Sequence, residues 1–338
     1  MTIASDLIDV HTHVVPETFP AYVGRHLDAA WPSMAPAQPC HQHVMVSGKV
    51  YRTVSHQCWD CGVRHADMDR LGIGRQVLSP MPELLSYWLP PEDGAALCAY
   101  LNDVIAGMVA DHPARFHGLG AVPLQDVDLA IRELDRAVHQ LGLAGVEIGG
   151  NINGTVIGDP QFLPFFEAAA DWGAAVFVHA LRPTGMDRLA GSPLLEQVLA
   201  FPGEVGLAAA SLITGGTLAK LPHLSIAFSH GGGTLSTLLP RLQHAWHAIP
   251  AVRDAVPMEP VQGARRMFYD NLVYDAAAIH HLLQVFGETQ IMVGSDYPFI
   301  IMDRDPVERL RSLGLDDDTA RALRHGNAMR WLFPARNT

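Results

Sequence analysis

Four short hydrophobic runs of this chain each end on a side chain that can bind a metal ion. The runs and the side chains that follow them are 7–10 with His11 and His13, 174–178 with His179, 224–229 with His230, and 291–295 with Asp296. Imidazole and carboxylate groups are the usual protein ligands of Zn²⁺ besides thiolates. A buried strand that ends in such a residue places it where barrel enzymes of alternating strands and helices carry their chemistry. The pattern predicts a metalloenzyme whose four clusters meet in one closed fold.

The spacing of His11 and His13 suits a shared ion. Two residues apart at the end of an extended strand, their side chains point in the same direction. They follow an apolar strand and precede Pro16, whereas the second His-x-His pair, His41 and His43, has no such context. We therefore expect the first pair to bind metal and the second pair not to.

The roles of the other three residues are less defined by spacing. Asp296 can ligate the ion directly or accept a proton from a bound water. His179 and His230 each follow an apolar strand, and spacing alone leaves open which of them is a ligand. If other residues already provide the ligands of the ion, His230 is the candidate general base for a metal-bound water. The glycines at 231–233 predict a helix start at which backbone N–H groups approach an anion.

The chain favours one ion over two. Barrel hydrolases with two metals generally bridge them with a carboxylated lysine or an acid at the end of a middle strand. The only lysines are Lys49 and Lys220, and neither follows a predicted strand. Glu147 lies inside the apolar run 145–149. There it could support the metal ligands from behind, but it is poorly placed to bridge two ions. We predict a mononuclear site.

Alternating apolar runs and helical patterns account for most of the chain. The further predicted strands are 76–81, 117–124, 145–149 and 272–275, and helical periodicity marks 92–111, 127–141, 160–172, 206–221 and 276–286. Eight alternations predict an α/β fold, a distorted (β/α)8 TIM barrel. Residues 16–60 break the rhythm and are predicted to be an insertion after the first strand that forms a lid or pocket wall. We expect residues 1–338 to form a single domain.

Composition excludes several classes of protein. The 338 residues are 49% hydrophobic and 17% charged, as in a globular enzyme, and the net charge of −12 disfavours nucleic-acid and anionic-membrane partners. The acidic first ten residues do not resemble a signal peptide, and no run of ~20 uninterrupted apolar residues is present. A cytoplasmic location is predicted. The four cysteines, including the Cys58–Cys61 pair, are expected to be reduced.

Several motifs resemble one known family. They are Ile8-Asp9-Val10-His11-Thr12-His13, Cys58-Trp59-Asp60, Met68-Asp69, Ser86-Tyr87-Trp88, Arg115-Phe116-His117-Gly118-Leu119-Gly120, Phe177-Val178-His179, Ser229 to Gly233, and Asp296-Tyr297-Pro298-Phe299. Through them nearly the whole chain resembles the 2-amino-3-carboxymuconate 6-semialdehyde decarboxylase family of the amidohydrolase superfamily. Several of these stretches are long enough to be specific.

The resemblance implies a complete set of site residues. One Zn²⁺ per subunit, with Mn²⁺ as a possible substitute, would be bound by His11, His13, His179 and Asp296, and His230 would be the catalytic acid/base. Arg52 and Arg241 would recognise the carboxylate of a small-molecule substrate, Arg241 reaching in from a neighbouring subunit of a homodimer. The implied activity is non-oxidative decarboxylation of 2-amino-3-carboxymuconate 6-semialdehyde or a related carboxylated semialdehyde.

Departures from the family pattern keep other functions open. The family has Pro-Trp-Asp where this chain has Ala180-Leu181-Arg182, and His43 stands in the place of a family lysine. Arg182 would suit a substrate with a further anionic group. One alternative is a decarboxylase of an ortho-hydroxy aromatic acid, although relatives of that kind often begin with Glu-x-His. Another is a mononuclear hydrolase or hydratase, because fold and metal do not determine the bond attacked. A metal-binding module without activity is the weakest alternative.

Overall fold

A parallel barrel forms the centre of the molecule. The computed structural model describes residues 6–26, 29–192 and 194–335. Within these residues eight parallel strands pair in chain order. They are β1 (Ile8–Val14), β2 (Arg75–Pro80), β3 (Phe116–Ala121), β4 (Gly145–Gly149), β5 (Ala175–His179), β6 (Ile226–Phe228), β7 (Phe268–Asp270) and β8 (Ile291–Met292). The predicted eight-stranded barrel is confirmed.

The first and last strands meet through the backbone and bring the two ends of the sheet together. The N–H of Val10 donates to the carbonyl of Val293 at 2.9 Å, and the N–H of His13 donates to that of Tyr297 at 2.7 Å. These bonds bring the segment after β8 beside the carboxyl end of β1. The first and last predicted ligand segments are neighbours for this reason.

Helices cover the outside of the barrel. The α-helices are α1 (Cys61–Leu71), α2 (Pro91–Asp111), α3 (Val127–Asp135), α4 (Leu163–Trp172), α5 (Phe201–Thr214), α6 (Thr217–Lys220), α7 (Leu235–Ala248), α8 (Pro250–Ala255), α9 (Pro260–Ala264), α10 (Ala276–Phe286), α11 (Pro306–Ser312), α12 (Asp317–Arg321) and α13 (Asn327–Leu332). Turns of π-helix lie at Arg136–Gln140, Glu196–Ala200 and Ala322–Gly326, and 3₁₀ turns at His56–Cys58, Pro82–Leu85, Pro160–Phe162, Met186–Arg188 and His230–Gly232.

Two sequence predictions of secondary structure were wrong. The strand predicted at 272–275 is β7, Phe268–Asp270, because Leu272 and Val273 lie beyond the strand and line a cavity instead of pairing. The helix predicted at 206–221 begins earlier, as α5, and is interrupted at Gly216, whose φ of 81° lies in the left-handed region. Helical periodicity detects the buried face but not such a break.

The lower barrel interior is apolar and sealed. Side chains from successive strands fill it, among them Ile8, Val10, Leu119 and Phe177. Trp331 of α13 is fully buried beneath them, with its ring centroid 5.7 Å from that of Phe177. This arrangement is the packed interior expected of such a barrel, so the chemistry is confined to the opposite, open end.

The segment after β1 has structure of its own. A three-stranded antiparallel sheet is formed by Ser33–Pro36, His41–Val46 and Lys49–Ser55. On it, His41 contacts the carbonyl of Pro39 and His43 contacts Thr53, so neither imidazole belongs to the cluster described below. The lid role of residues 16–60 and the single-domain organisation stay predictions.

By length and composition alone, one helical stretch of the described residues, Glu196–Thr214, could cross a membrane. It contains α5, which packs against α7 and α9 in the outer helical layer. A buried core helix of a protein that does not span a membrane can have the same length and composition. Cys40, Cys58, Cys61 and Cys98 are all free thiols.

Candidate active site

Four of the predicted ligands converge at the open end of the barrel. His11, His13, His179 and Asp296 are buried, and one ligand atom from each lies within 4.8 Å of all the others. His13 Nε2 is 3.1 Å from His11 Nε2 and 3.1 Å from Asp296 Oδ1. These residues come from β1, β5 and the segment after β8, and the barrel alone brings them together.

An irregularity in β1 aims both of its histidines inward. Between Asp9 and Thr12 the pairing with β2 shifts by one residue, so that Val10 and His11 face the single partner Val77. Val10 packs in the barrel interior, and His11 contacts the inward ring of Phe177 at 5.3 Å between centroids. A bulge of this kind changes which side chains face one surface. Because of the bulge, one strand contributes Val10 to the apolar barrel interior and His11 to the ligand cluster.

Each histidine of the cluster is held through its Nδ1 atom. His11 Nδ1 is 2.7 Å from Asp270 Oδ2, His13 Nδ1 is 3.2 Å from the carbonyl of Pro80, and His179 Nδ1 is 2.9 Å from the carbonyl of Ala180. An oxygen acceptor at Nδ1 fixes the proton there and leaves the lone pair on Nε2. Metal-binding histidines are commonly oriented in this way. All three Nε2 atoms are therefore available to one ion.

The electrostatics also fit a cation. Burial opposes protonation of His11, but the hydrogen bond to Asp270 and the charge of Asp296 outweigh it and raise the pKa of His11 to about 9. Two carboxylates thus favour positive charge at this point, which a divalent cation can supply in place of a proton. His179 Nε2 is buried with no hydrogen-bond partner among the described residues. A bound ion would satisfy this atom, so the residues present fit a metal.

His230 lies beside the cluster and outside it. Its ring centroid is 5.0 Å from that of His179 and 5.4 Å from that of His11, and its Nδ1 is 3.1 Å from Ser229 Oγ. Burial of the ring, together with the charge of nearby His11, lowers the pKa of His230 to about 4. Spacing alone left the roles of these two histidines open. In the structure His179 lies in the four-residue cluster, and His230 is a neutral imidazole next to it.

The backbone of the glycine-rich turn that begins at His230 binds an anion of the chain itself. The backbone N–H groups of His230 and Gly231 donate to the carboxylate of Asp270 at 3.0 and 2.8 Å. His230 itself has a φ of 55°, and Asp296 a φ of 65°. Non-glycine residues in the left-handed region are held there by their surroundings and cluster at functional sites.

Sequence reasoning missed Asp270. It is fully buried at the end of β7, and burial alone would oppose its ionisation. Hydrogen bonds from His11 and from the N–H of Gly231 nevertheless hold the pKa of Asp270 below its usual range. A signal existed, because Phe268-Tyr269-Asp270 is another short apolar run ending in a carboxylate. Asp270 escaped prediction because the strand was predicted at 272–275, four residues after the observed start of β7.

Glu147 occupies the barrel interior on β4. It is fully buried, and neither carboxylate oxygen has a hydrogen-bond partner among the described residues. Burial raises the pKa of Glu147 to about 8, which favours the neutral acid at pH 7. It is not part of the four-residue cluster. That Glu147 does not bridge two ions stays a prediction.

A cavity of about 450 Å³ opens above the cluster. His13, His179, Asp296 and His230 lie at its walls, and most of the remaining lining is apolar. Small-molecule sites commonly have such a volume and such a lining, with a few placed polar groups. The four-residue cluster and the candidate base therefore face one cavity.

The three arginines of interest have different positions. Arg52 lines the cavity from the three-stranded sheet, with its Cζ 4.3 Å from the ring centroid of Phe299. Arg182 also lines the cavity, together with Ala180 and Leu181. Arg241 is exposed on α7 and is not among the residues that line the cavity of this chain.

A family model described as amidohydrolase matches residues 8–333. The 2-amino-3-carboxymuconate-6-semialdehyde decarboxylase of Dictyostelium discoideum is 36% identical over 327 residues, which cover 96% of this chain and 91% of that relative. The gamma-resorcylate decarboxylase of Rhodococcus jostii is 29% identical over 260 residues, covering 70% of this chain and 77% of its own. Both relatives are carboxy-lyases, and the resemblance drawn from the motifs is confirmed.

A solved structure is also similar. The 5-carboxyvanillate decarboxylase from Novosphingobium aromaticivorans, complexed with manganese and 4-hydroxy-3-methoxy-5-nitrobenzoic acid, superimposes with a TM-score of 0.73 at 27% sequence identity. The match covers 82% of this chain and 81% of that one. That enzyme places a metal and a substituted benzoic acid on the same fold.

Proposed function

The chain belongs to the amidohydrolase family, and from that premise we propose that it is a metal-dependent, non-oxidative decarboxylase. The convergence of His11, His13, His179 and Asp296 beside His230 carries the proposal. It gives one cavity both a candidate metal centre and a group that can exchange a proton. Relatives that share the fold and cover most of the chain are decarboxylases.

The four buried ligand residues would hold one divalent cation. When bound there, such an ion supplies Lewis-acid chemistry, polarising an oxygen of the substrate or of water. We assign Zn²⁺ to the site because three imidazoles and one carboxylate suit it, with Mn²⁺ as the alternative. Manganese is the ion in the similar 5-carboxyvanillate decarboxylase.

Loss of carbon dioxide needs a group that accepts the electron pair left behind, and a proton for the carbon that carried the carboxylate. His230 is placed to move that proton, because its Nδ1 is beside Ser229 and its Nε2 is left for the cavity. Arg52 is placed to orient a carboxylate, since its guanidinium is held against Phe299 in the cavity wall.

The preferred substrate is 2-amino-3-carboxymuconate 6-semialdehyde or a related carboxylated semialdehyde. Its conjugated diene and aldehyde can accept the electron pair, and the relative with 36% identity over 96% of this chain is named for this reaction. The alternative substrate is an ortho-hydroxy aromatic acid, in which the protonated ring accepts the pair. It is favoured by the gamma-resorcylate and 5-carboxyvanillate decarboxylases among the similar proteins.

Further parts of the proposal extend beyond the single chain. We propose a homodimer in which Arg241, exposed on α7, enters the partner's cavity and binds a substrate carboxylate. We keep the lid role for residues 16–60, supported by Tyr51 and Arg52 in the cavity wall. We propose a cytoplasmic location, and the net charge of −12 supports the absence of nucleic-acid and anionic-membrane partners.

A substrate panel tests this function. Protein loaded with Zn²⁺ or Mn²⁺ is incubated with freshly generated aminocarboxymuconate semialdehyde, with 2,6-dihydroxybenzoate, and with a lactone as a hydrolase control. We expect the semialdehyde's absorbance to fall with release of carbon dioxide. Release from the hydroxybenzoate alone would select the alternative substrate. Hydrolysis of the lactone without carbon dioxide from either acid would overturn the decarboxylase proposal.

A further inference from the structure

Two oppositely charged side chains face each other in the cavity wall. Arg182 Nη2 lies 3.2 Å from Glu83 Oε1. Arg182 comes from the segment after β5 and Glu83 from the 3₁₀ turn after β2, and both line the cavity. The Arg182 side chain is 52% exposed, whereas that of Glu83 is 11% exposed. The arginine is therefore the accessible member of the pair.

The guanidinium of Arg182 is supported from one face. Its Cζ lies 3.2 Å from the ring centroid of Trp88. Stacking on an aromatic ring holds a guanidinium flat and leaves its in-plane N–H groups free to bind a carboxylate. Glu83 occupies only part of that donor edge, through one oxygen at Nη2. The arrangement is a preformed carboxylate-binding group whose present partner is internal.

The charges of the cavity wall cancel in the free protein. Apart from the four-residue cluster and the neutral His230, the charged residues that line the cavity in the described part of the chain are Arg52, Arg182, Glu83 and Glu196, two of each sign. A substrate carboxylate at Arg182 must therefore compete with Glu83. Glu83 would not be left alone by the exchange, because Arg52 and the Tyr51 hydroxyl also act on its carboxylate. Glu83 can therefore keep Arg52 and Tyr51 as partners when Arg182 binds a substrate carboxylate.

We propose that Arg182 is a specificity-determining residue: it binds a second carboxylate of the substrate, one that is retained, and Glu83 is the internal anion that this carboxylate displaces. The inference rests on the proposed function and narrows it to substrates with two anionic groups. It concerns a position at which the chain differs from the Pro-Trp-Asp pattern of its family. Arg52, together with the Arg241 proposed to enter from the partner subunit, still orients the other carboxylate.

A double-mutant cycle on ligand binding tests the exchange. The metal-loaded protein is titrated calorimetrically with isophthalate, which carries two carboxylates, and with benzoate, which carries one. The variants are Arg182→Gln, Glu83→Gln and the double variant. Arg188→Gln is the matched control, because Arg188 is an exposed arginine of the same segment that does not line the cavity.

The expected results differ for each arm. Arg182→Gln weakens isophthalate binding about fivefold, the strength of a partly exposed ion pair, and leaves benzoate unchanged. Glu83→Gln strengthens isophthalate binding by a similar factor, because Arg182 loses its internal competitor. In the Arg182→Gln background the same Glu83 substitution has no effect, since the two residues act through one contact. Arg188→Gln binds both ligands as the unaltered protein does.

Three results would overturn the inference. The first is an unaltered protein that binds isophthalate no more tightly than benzoate. The second is a Glu83→Gln effect of equal size in both backgrounds, which would show general repulsion instead of exchange. The third is a Glu83→Gln variant that folds but binds isophthalate less tightly. Should Glu83→Gln not fold, Arg182→Glu decides, and it must weaken isophthalate binding more than Arg182→Gln.

Binding is measured here without turnover, so the two proposals can fail separately. A protein that passes the cycle but releases no carbon dioxide from any carboxylated substrate retains the Arg182 site and loses the proposed reaction. A decarboxylase that fails the cycle retains the reaction and loses the Arg182 site.

Discussion

Asp270 accepts a hydrogen bond from His11 Nδ1 at 2.7 Å through the same oxygen, Oδ2, that accepts the backbone N–H of His230 at 3.0 Å. One carboxylate thereby orients a candidate metal ligand and the loop that carries the candidate acid/base. His11 and Asp270 are 259 positions apart in the chain. The barrel places them in contact through β1 and β7.

Replacing Asp270 with Asn should loosen both ends of this link. The amide offers one acceptor oxygen where the carboxylate accepts from several donors, and it places an NH₂ group against an N–H group. We expect metal affinity to fall about 10–100-fold, as for other residues that orient metal ligands. Competition with a chromophoric chelator measures it. Asp275→Asn is the control, because Asp275 caps α10 and is not one of the four clustered residues. Unchanged affinity in Asp270→Asn would remove Asp270 from the metal centre.

Metal removal should lower thermal stability. An ion that binds only the folded chain stabilises it by about 2.7 kcal/mol at a concentration 100 times its Kd. Chelation of the purified protein should therefore lower its Tm, and Zn²⁺ or Mn²⁺ should restore it. The His179→Ala variant, which loses one ligand, should respond less to both treatments. Equal Tm values with and without chelator in the unaltered protein would speak against an ion at this cluster.

Trp331 should contribute to stability and not to chemistry. It is fully buried at the closed end of the barrel and its indole N–H donates to the carbonyl of Val176 at 3.3 Å. Trp331→Ala should reduce the free energy of unfolding by about 3–5 kcal/mol. Chemical denaturation measures the loss. Phe333→Ala, at a ring that is half exposed nearby, should cost far less. Similar losses in both variants would contradict the packing described for this end.

Arg241 can be tested by mixing inactive subunits. Arg241→Gln and His230→Gln proteins should each be inactive if Arg241 acts in the partner's cavity. In a mixed dimer one site has both intact residues. Random pairing of equal amounts makes half of the dimers mixed, so about a quarter of the full activity should return. Activity of Arg241→Gln alone, or no recovery after subunit exchange, would contradict a contribution from the partner.

The parts of the site that follow a local sequence pattern could be predicted from the sequence. A run of apolar residues ending in His or Asp identified β1, β5, β6 and β8, and eight alternations gave the barrel. Other features depend on pairing between distant segments. The bulge that turns both Val10 and His11 inward is visible only in the register of β1 against β2. The ion pair of Glu83 with Arg182 joins two loops 99 positions apart.

The placement of β7 shows how a local rule can mislead. Leu272 and Val273 are more apolar than the residues at the end of β7, and they were predicted as the strand. In the structure they line the cavity, where apolar character serves to exclude water instead of forming a sheet. Hydrophobicity reports burial, and burial does not distinguish a strand from a cavity wall. Asp270 was lost from the predicted site through this error.

The most direct measurement uses a substrate labelled with ¹³C in the carboxylate that is to leave. Metal-loaded protein should release one labelled CO₂ per molecule of semialdehyde consumed. The His230→Gln variant should retain the same metal content and release CO₂ at least 100-fold more slowly, as expected for loss of a positioned proton-transfer group. Consumption of substrate with the label retained in the product would contradict decarboxylation at this site. Full activity in His230→Gln would contradict the assignment of proton transfer to His230.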